Sequence, residues 1–143
     1  IVTQSDLPFI VADVIKHATL PSTVQLVNYA ISASKGLQPI AMVRLSVDGV
    51  EYEANASGDG QYDAFVRALR SIYRTKLKRT FPVLTNYTVN IPPGGRSDAL
   101  VHTTITWDYD GRIIKTRGLD GDQTESAISA TLKMLNIIES YEQ

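Results

Sequence analysis

The chain has 143 residues, a mass of 15.7 kDa, 43% hydrophobic and 20% charged residues, and a formal net charge of -1. These values are typical of one globular domain that buries its own core, and they give no electrostatic reason to expect nucleic acid or an anionic membrane as a partner. The sequence has no cysteine, no long apolar run and no signal peptide, so we expect a cytoplasmic protein without disulfides, thiolate metal sites or a membrane span.

Residues 1–22 predict a short amphipathic helix that precedes the main domain. Ser5 or Asp6 can cap it, and Pro8 is tolerated in its first turn. Apolar residues then recur on one face between Ile10 and Ile15. We interpret this segment as a linker or subdomain helix, which either completes the core or docks on an upstream domain.

The next segment predicts three strands and a helix. A strand-like stretch at 24–33 is followed by two runs in which apolar and polar residues alternate, joined by the hairpin signal Asp48-Gly49. After the glycine-bearing turn at 57–60, the apolar residues change to helical spacing, and we expect one face of this helix to be buried. Its predicted buried residues are Ala64, Phe65, Ala68, Leu69, Ile72 and Tyr73.

The same order of elements recurs in the second half of the chain. Asn28-Tyr29 recurs as Asn86-Tyr87, a second hairpin turn lies at Asp110-Gly111, and Gly58-Asp59 recurs as Gly121-Asp122 before the last helix. The sequence therefore predicts an α+β fold with two βββα units, at about 23–81 and 82–138, within a domain at 23–143. One unit alone leaves its sheet and helix faces poorly covered, so we expect the two to pack with pseudo-twofold symmetry.

Residues that could carry catalysis or bind a metal are sparse. The two histidines, His17 and His102, lie far apart and have no ligand spacing, and no nucleophile motif is present. Helix capping explains Asp59 and Asp122 more simply than acid–base chemistry does. The basic run at 67–79 lacks interleaved aromatic residues for base stacking, which favours a solvated helix face over RNA binding.

The glycine-bearing turns before both helices are more informative. Each exposes a helix N-terminus, where backbone N–H groups and the positive end of the helix dipole suit a carboxylate. Plain helix capping is the alternative interpretation of the same pattern, and the residues alone do not exclude it.

Several segments resemble the C-terminal regulatory domain of the 2-isopropylmalate synthase and citramalate synthase family. Residues 54–69, ANASGDGQYDAFVRAL, resemble its A-x-G-x-G-P-V-D-A-x-x-x-A-L signature, with Gln61-Tyr62 in place of Pro-Val. Residues 94–101 resemble its second-repeat G-T-D-A segment, and 118–136 resemble its closing helix. The Tyr62-Asp63 pair and the opening helix are closer to citramalate synthases, so the resemblance leaves the effector open between leucine and isoleucine.

The resemblance implies a role and partners for the chain. It implies a feedback-regulatory domain that forms a homodimer and binds a branched-chain amino acid, leucine or isoleucine, at the dimer interface. It also implies an upstream TIM-barrel domain in the same chain, an acetyl-CoA-dependent acyltransferase that uses a divalent metal. The fragment itself is expected to have no catalytic residues, cofactor or metal.

A zwitterionic aliphatic amino acid needs hydrogen-bond donors for its carboxylate, an acceptor for its ammonium group and an apolar slot. We expect the two helix starts to come together around it, with Ala64 in the first turn of the earlier helix. The candidate residues are, for the carboxylate, Gly60, Gln61, Tyr62 and Gln123; for the ammonium group, Asp63, Asp98 or Asp122; and for the slot, Leu84, Tyr87, Ile91, Ala99 and Val101.

Overall fold

The computed structural model describes residues 23–91 and 100–141. The helix predicted at 1–22, and the candidate residues Asp98 and Ala99, lie outside the described residues. Contacts within the chain divide it into two compact units, one at Thr23–Phe81 and the other containing the residues from Pro82 onward.

The first unit is a three-stranded antiparallel sheet followed by a helix. The strands lie in the order β1-β2-β3, and the helix continues directly into one π-helical turn. Asp48 and Gly49, with φ of 53° and 84°, form the turn between the second and third strands, as the primed hairpin turns require. The elements are β1 (Val24–Ser32), β2 (Ile40–Val47), β3 (Val50–Ser57), α1 (Gln61–Ser71) and the π turn (Ile72–Lys76).

The second unit repeats this arrangement. Its strands lie in the order β4-β5-β6, and Asp110 and Gly111 form the hairpin turn with φ of 53° and 90°. The prediction of an α+β fold with two βββα units is therefore confirmed. The elements are β4 (Val83–Asn90), β5 (Val101–Tyr109), β6 (Arg112–Asp120) and α2 (Gln123–Tyr141).

Each helix packs on one face of its own sheet. On β2 and β5 every second residue is buried, and these residues face the helix because side chains alternate along a strand. All six residues predicted to form the buried stripe of the first helix have no exposed surface; four of them lie in α1, and Ile72 and Tyr73 lie in the π turn that continues it. In the second unit Gly118 lets β6 approach α2, since a Cβ there would lie 1.9 Å from the backbone oxygen of Ser126.

The edge strands β1 and β4 share an irregularity that the sequence repeat did not predict. The register shifts between Leu26 and Asn28 in one unit and between Leu84 and Asn86 in the other. After each bulge the asparagine Oδ1 accepts a hydrogen bond from the backbone N–H of the following tyrosine, at 2.8 Å for Asn28 and 3.0 Å for Asn86. Pairing resumes after each bulge, from Asn28 in β1 and from Asn86 in β4, so the bulge adds one residue to the edge strand without ending it.

The sheet face away from α1 carries an exposed ion pair. Arg44 on β2 and Glu53 on β3 are paired in register, and their side chains approach to 2.8 Å. The hydrogen bond and the charge of Glu53 raise the pKa of the Arg44 guanidinium above its ordinary value. Because both side chains are about half exposed, this pair contributes little to stability.

Candidate functional site: the start of helix α1

The loop from β3 into α1 passes close to the first turn of the helix. Gly58 is buried, and a Cβ at this position would lie 2.5 Å from the backbone nitrogen of Ala64. Only glycine therefore fits between the strand and the helix without moving one of them. Ala64 is itself fully buried, so it fixes the first turn rather than presenting a side chain to a ligand.

Helix α1 has no side-chain cap. Its N-cap residue is Gly60, which has an extended backbone and no side chain that can accept a hydrogen bond from the first turn. Gln61, the first residue of the helix, is exposed. The positive end of this helix is therefore available to a negatively charged group that approaches from solvent.

Asp63 lies in this first turn and joins the loop to the helix. Its Oδ2 accepts a hydrogen bond of 2.9 Å from the backbone N–H of Asp59, and it pairs with Arg67 at 3.1 Å one turn further on. The prediction that Asp59 caps the helix was wrong, because Asp59 lies before the Gly60 N-cap. The Asp63 side chain is 41% exposed, so its carboxylate is accessible to a positively charged group of a ligand.

Aromatic rings form the floor beside this turn. Tyr62 is half-buried and stacks on Phe65, with ring centroids 6.4 Å apart and planes inclined by 23°. Tyr29 on β1 meets the same Phe65 edge-on at 5.8 Å. The position of Tyr62 is thus set by packing against Phe65, next to the carboxylate of Asp63.

A cavity that the sequence did not predict lies at the same end of this sheet. It has a volume of about 360 Å³, and the loop between β1 and β2 forms most of its wall. Gln38 in this loop donates a hydrogen bond of 3.4 Å to Asp59, which links the loop to the start of α1. The lining residues are Ser32, Ser34, Gly36, Leu37, Gln38, Ile40 and Ser57.

The start of α2 differs from that of α1 although the two repeats correspond. The Asp122 Oδ1 accepts a hydrogen bond of 3.0 Å from the backbone N–H of Glu125, which is an ordinary N-cap. The N–H of Asp122 in turn donates to Asp120 at 3.0 Å. Capping therefore accounts for Asp122, and this helix start offers less to a carboxylate, although Gln123 is exposed.

The candidate slot residues of the second unit are spread along its sheet. Leu84 pairs with Trp107, and Tyr87 pairs with Ile105, while Val101 pairs with Asp120 near the start of α2. Because a strand rises about 3.4 Å per residue, the Leu84 and Val101 positions lie about 20 Å apart along the sheet. Ile91 follows β4 at the same end as Val101 and is 62% exposed.

Within residues 23–91 and 100–141, no group of three or more histidine, aspartate or glutamate side chains is placed to hold a metal ion. Across the same residues, no helix has the length and apolar character needed to cross a bilayer. The start of α1 combines an uncapped helix end, the partly exposed carboxylate of Asp63 and the ring of Tyr62.

Comparison with known proteins agrees with the resemblance seen in the sequence. The profile of the family described as the LeuA allosteric (dimerisation) domain matches residues 1–139. The chain belongs to this family.

Curated relatives bear two names. The chain is 33% identical over 134 residues to a 2-isopropylmalate synthase of Acidimicrobium ferrooxidans, which covers 94% of the chain and 25% of the relative. It is 30% identical over 138 residues to a 2-isopropylmalate synthase of Methanocaldococcus jannaschii, and the alignment covers 96% of the chain and 26% of the relative. A putative (R)-citramalate synthase of Archaeoglobus fulgidus is 30% identical over 139 residues, and the alignment covers 96% of the chain and 27% of the relative. The chain thus spans about a quarter of the length of these relatives.

Proposed function

We propose that this chain is the feedback-regulatory domain of a 2-isopropylmalate synthase and that it binds leucine at an interface between two copies of itself. The family and the relatives named 2-isopropylmalate synthase support this role. The relatives named citramalate synthase support isoleucine as the alternative effector.

The observation that carries the proposal is the contrast between the two helix starts. Asp122 caps α2 with its own carboxylate, whereas α1 begins at a glycine that has no side chain. A carboxylate from a ligand can take the place at α1 that Asp122 takes at α2. The free amino acid supplies that carboxylate, and its interaction with the first turn is favourable because the helix dipole points toward it.

The ammonium group of the same ligand requires an acceptor close by. Asp63 lies in the first turn of α1, is partly exposed and belongs to the segment that resembles the family signature. Its present partners are the Asp59 N–H and the Arg67 side chain, and Arg67 is exposed, so it can turn toward solvent when an ammonium group binds. The charge-assisted bond that forms is among the stronger polar contacts in proteins.

The aliphatic side chain requires an apolar surface. Tyr62 lies beside Asp63 in the first unit and stacks on Phe65, so its ring offers apolar surface next to the proposed ammonium contact. Leucine and isoleucine differ only in the position of one methyl group, so the shape of this slot decides between them by about 1–3 kcal/mol. Asp98 remains a predicted acceptor for the ammonium group, and Ala99 remains a predicted member of the slot.

The regulatory effect follows from differential binding. An effector that binds one arrangement of the two copies more tightly shifts the population toward it, by a coupling free energy of typically about 1–3 kcal/mol. The acyl transfer that the resemblance implies belongs to a catalytic part of the parent protein, where a divalent metal and acetyl-CoA are expected.

The test is a thermal melting series on the 143-residue chain with leucine, isoleucine, valine and a nucleotide. A ligand present at 100 times its dissociation constant stabilises the folded state by about 2.7 kcal/mol, which raises the melting temperature by several degrees. We expect this rise with leucine, or with isoleucine if the citramalate alternative holds, and no rise with the nucleotide. A folded chain that responds to none of the amino acids contradicts the proposal.

A further inference from the structure

Just after the end of helix α1, a lysine occupies a left-handed backbone conformation that usually requires glycine. The helix passes into the π turn at Ile72–Lys76, which closes with hydrogen bonds from the Leu77 N–H to the Ile72 oxygen at 3.1 Å and from the Arg79 N–H to the Tyr73 oxygen at 2.9 Å. Lys78, between them, has a φ of 58°. Glycine usually occupies such a left-handed position after a helix, because any Cβ adds strain there.

Lysine at this position does not serve the fold, since glycine would hold the same backbone at lower cost. Strained backbone and π turns concentrate at functional sites, so this lysine calls for a role of its side chain. Together with Arg74 and Lys76 it forms an exposed cluster, which we name the basic turn.

The basic turn lacks neutralising charges. Residues 64–91 contain six basic residues and no acidic residue. Arg67 pairs with Asp63, and the Arg70 guanidinium lies 5.9 Å from the ring centroid of Phe81. Among residues 23–91 and 100–141, by contrast, no carboxylate forms an ion pair with any member of the basic turn.

The neighbouring aromatic residues argue against nucleic acid as the partner. Tyr73 and Phe81 are the rings closest in sequence to the basic turn, and they are 0% and 4% exposed. Single-stranded nucleic acids bind where aromatic faces are open to stacking, and these two faces are buried in the core of the unit. Single-stranded nucleic acid is therefore a poor match for the basic turn, whereas an acidic protein surface matches its charge.

A second copy of the chain offers such a surface. Residues 23–81 carry eight basic and five acidic residues, a net charge of +3, and residues 82–143 carry five basic and eight acidic residues, a net charge of -3. In the acidic half Asp108 and Asp110 both lie at the hairpin between β5 and β6, and Asp110 is exposed. In a twofold dimer a contact between the basic half of one copy and the acidic half of the other forms twice.

We propose that the basic turn binds the acidic half of a second copy and thereby fixes how two copies pair. This inference rests on the dimer of the proposed function and adds to it the surface and the charge pattern that select the partner. Complementary charges of this kind act chiefly on partner choice and on the rate of association, and salt weakens them.

The test is sedimentation equilibrium of the 143-residue chain at about 50 mM and about 500 mM salt, where the screening length falls several-fold. The double variant K76E/K78E should raise the dimer dissociation constant about tenfold at low salt, because two attractive contacts become repulsive. The difference between the dimer dissociation constants of the wild type and the double variant should become smaller at high salt. K35E is the matched control, since Lys35 is an exposed lysine of the same half outside the basic turn, and it should change the constant less than twofold.

A second variant separates binding from folding. Lys78→Gly removes the strain and the charge together, so we expect a higher melting temperature and a weaker dimer. A dimer that is indifferent to K76E/K78E, or equally sensitive to K35E, overturns the inference and leaves the proposed effector site standing. A wild-type chain that stays monomeric at all concentrations and does not dimerise with leucine or isoleucine overturns both.

Discussion

Asp63 accepts a hydrogen bond of 2.9 Å from the backbone N–H of Asp59, and this bond ties the loop after β3 to the first turn of α1. The same carboxylate is partly exposed and lies beside the uncapped helix start. One side chain therefore has a structural contact and a proposed ligand contact, and the two can be separated by substitution.

Asp63→Asn should separate them, because asparagine keeps an oxygen for the Asp59 N–H but loses the negative charge. We expect a melting temperature close to that of the wild type and an affinity for leucine or isoleucine about 10–100 times lower, as the loss of a charge-assisted bond predicts. Isothermal titration calorimetry measures the affinity.

Asp122→Ala is the matched control for this experiment. It removes the cap of α2, which should cost about 1 kcal/mol of stability. The effector affinity should be unchanged once the comparison is made well below the melting temperature. If Asp122→Ala abolishes binding and Asp63→Asn does not, the ammonium group binds at the second helix start instead.

Two of the predicted slot residues, Ile91 and Leu84, lie at opposite ends of the second sheet and can be tested separately. Ile91 lies at the Val101 end of the sheet and is 62% exposed, whereas Leu84 pairs with Trp107 at the other end. Ile91→Ala should therefore weaken effector binding by about tenfold with little effect on stability, since a few buried methyl groups contribute about 1–3 kcal/mol. Leu84→Ala should mainly lower the melting temperature, and the reverse pattern would place the slot near Trp107.

Gly118 is expected to be one of the most sensitive positions in the second unit. A Cβ there would lie 1.9 Å from the Ser126 oxygen, so Gly118→Ala must separate β6 from α2, at a cost of about 3 kcal/mol. Gly121→Ala is the control, because nothing lies within 4 Å of a Cβ at Gly121. Urea denaturation of both variants measures the difference, and equal midpoints would show that the strand and helix are not in close contact.

A buried pair of hydroxyls joins the same sheet to α2. The Thr103 and Ser126 hydroxyls are 2.5 Å apart, and both residues have no exposed surface. Thr103→Val keeps the shape and removes this hydrogen bond, which should lower the free energy of unfolding by about 1 kcal/mol. Thr104→Val, on the half-exposed side of the same strand, should leave it within about 0.5 kcal/mol of the wild type.

Much of the fold was predictable because each element follows a simple periodic rule. Alternation along β2 and β5 and helical spacing along α1 identified their buried faces, since burial imposes a period of two on strands and about 3.6 on helices. The turns Asp48-Gly49 and Asp110-Gly111 were predictable for a different reason, because few residue pairs tolerate two successive positive φ values.

Features that depend on three-dimensional contacts were not predictable. The difference between Asp59 and Asp122 follows from the extra Gly60, which takes the N-cap position of α1, but the repeat alone did not show which of the two residues becomes the cap. The bulges before Asn28 and Asn86 depend on pairing with a neighbouring strand. The cavity beside Gln38 arises from the path of a loop, and a loop path has no periodic signal.

The central claim is that a zwitterionic branched-chain amino acid binds at the start of α1. Calorimetric titration of the wild-type chain with leucine and then isoleucine, paired with the same titrations of Asp63→Asn, tests it most directly. We expect saturable binding of one of the two to the wild type and a much weaker response from the variant. A folded wild-type chain that binds neither amino acid, or a variant that binds as tightly as the wild type, would contradict it.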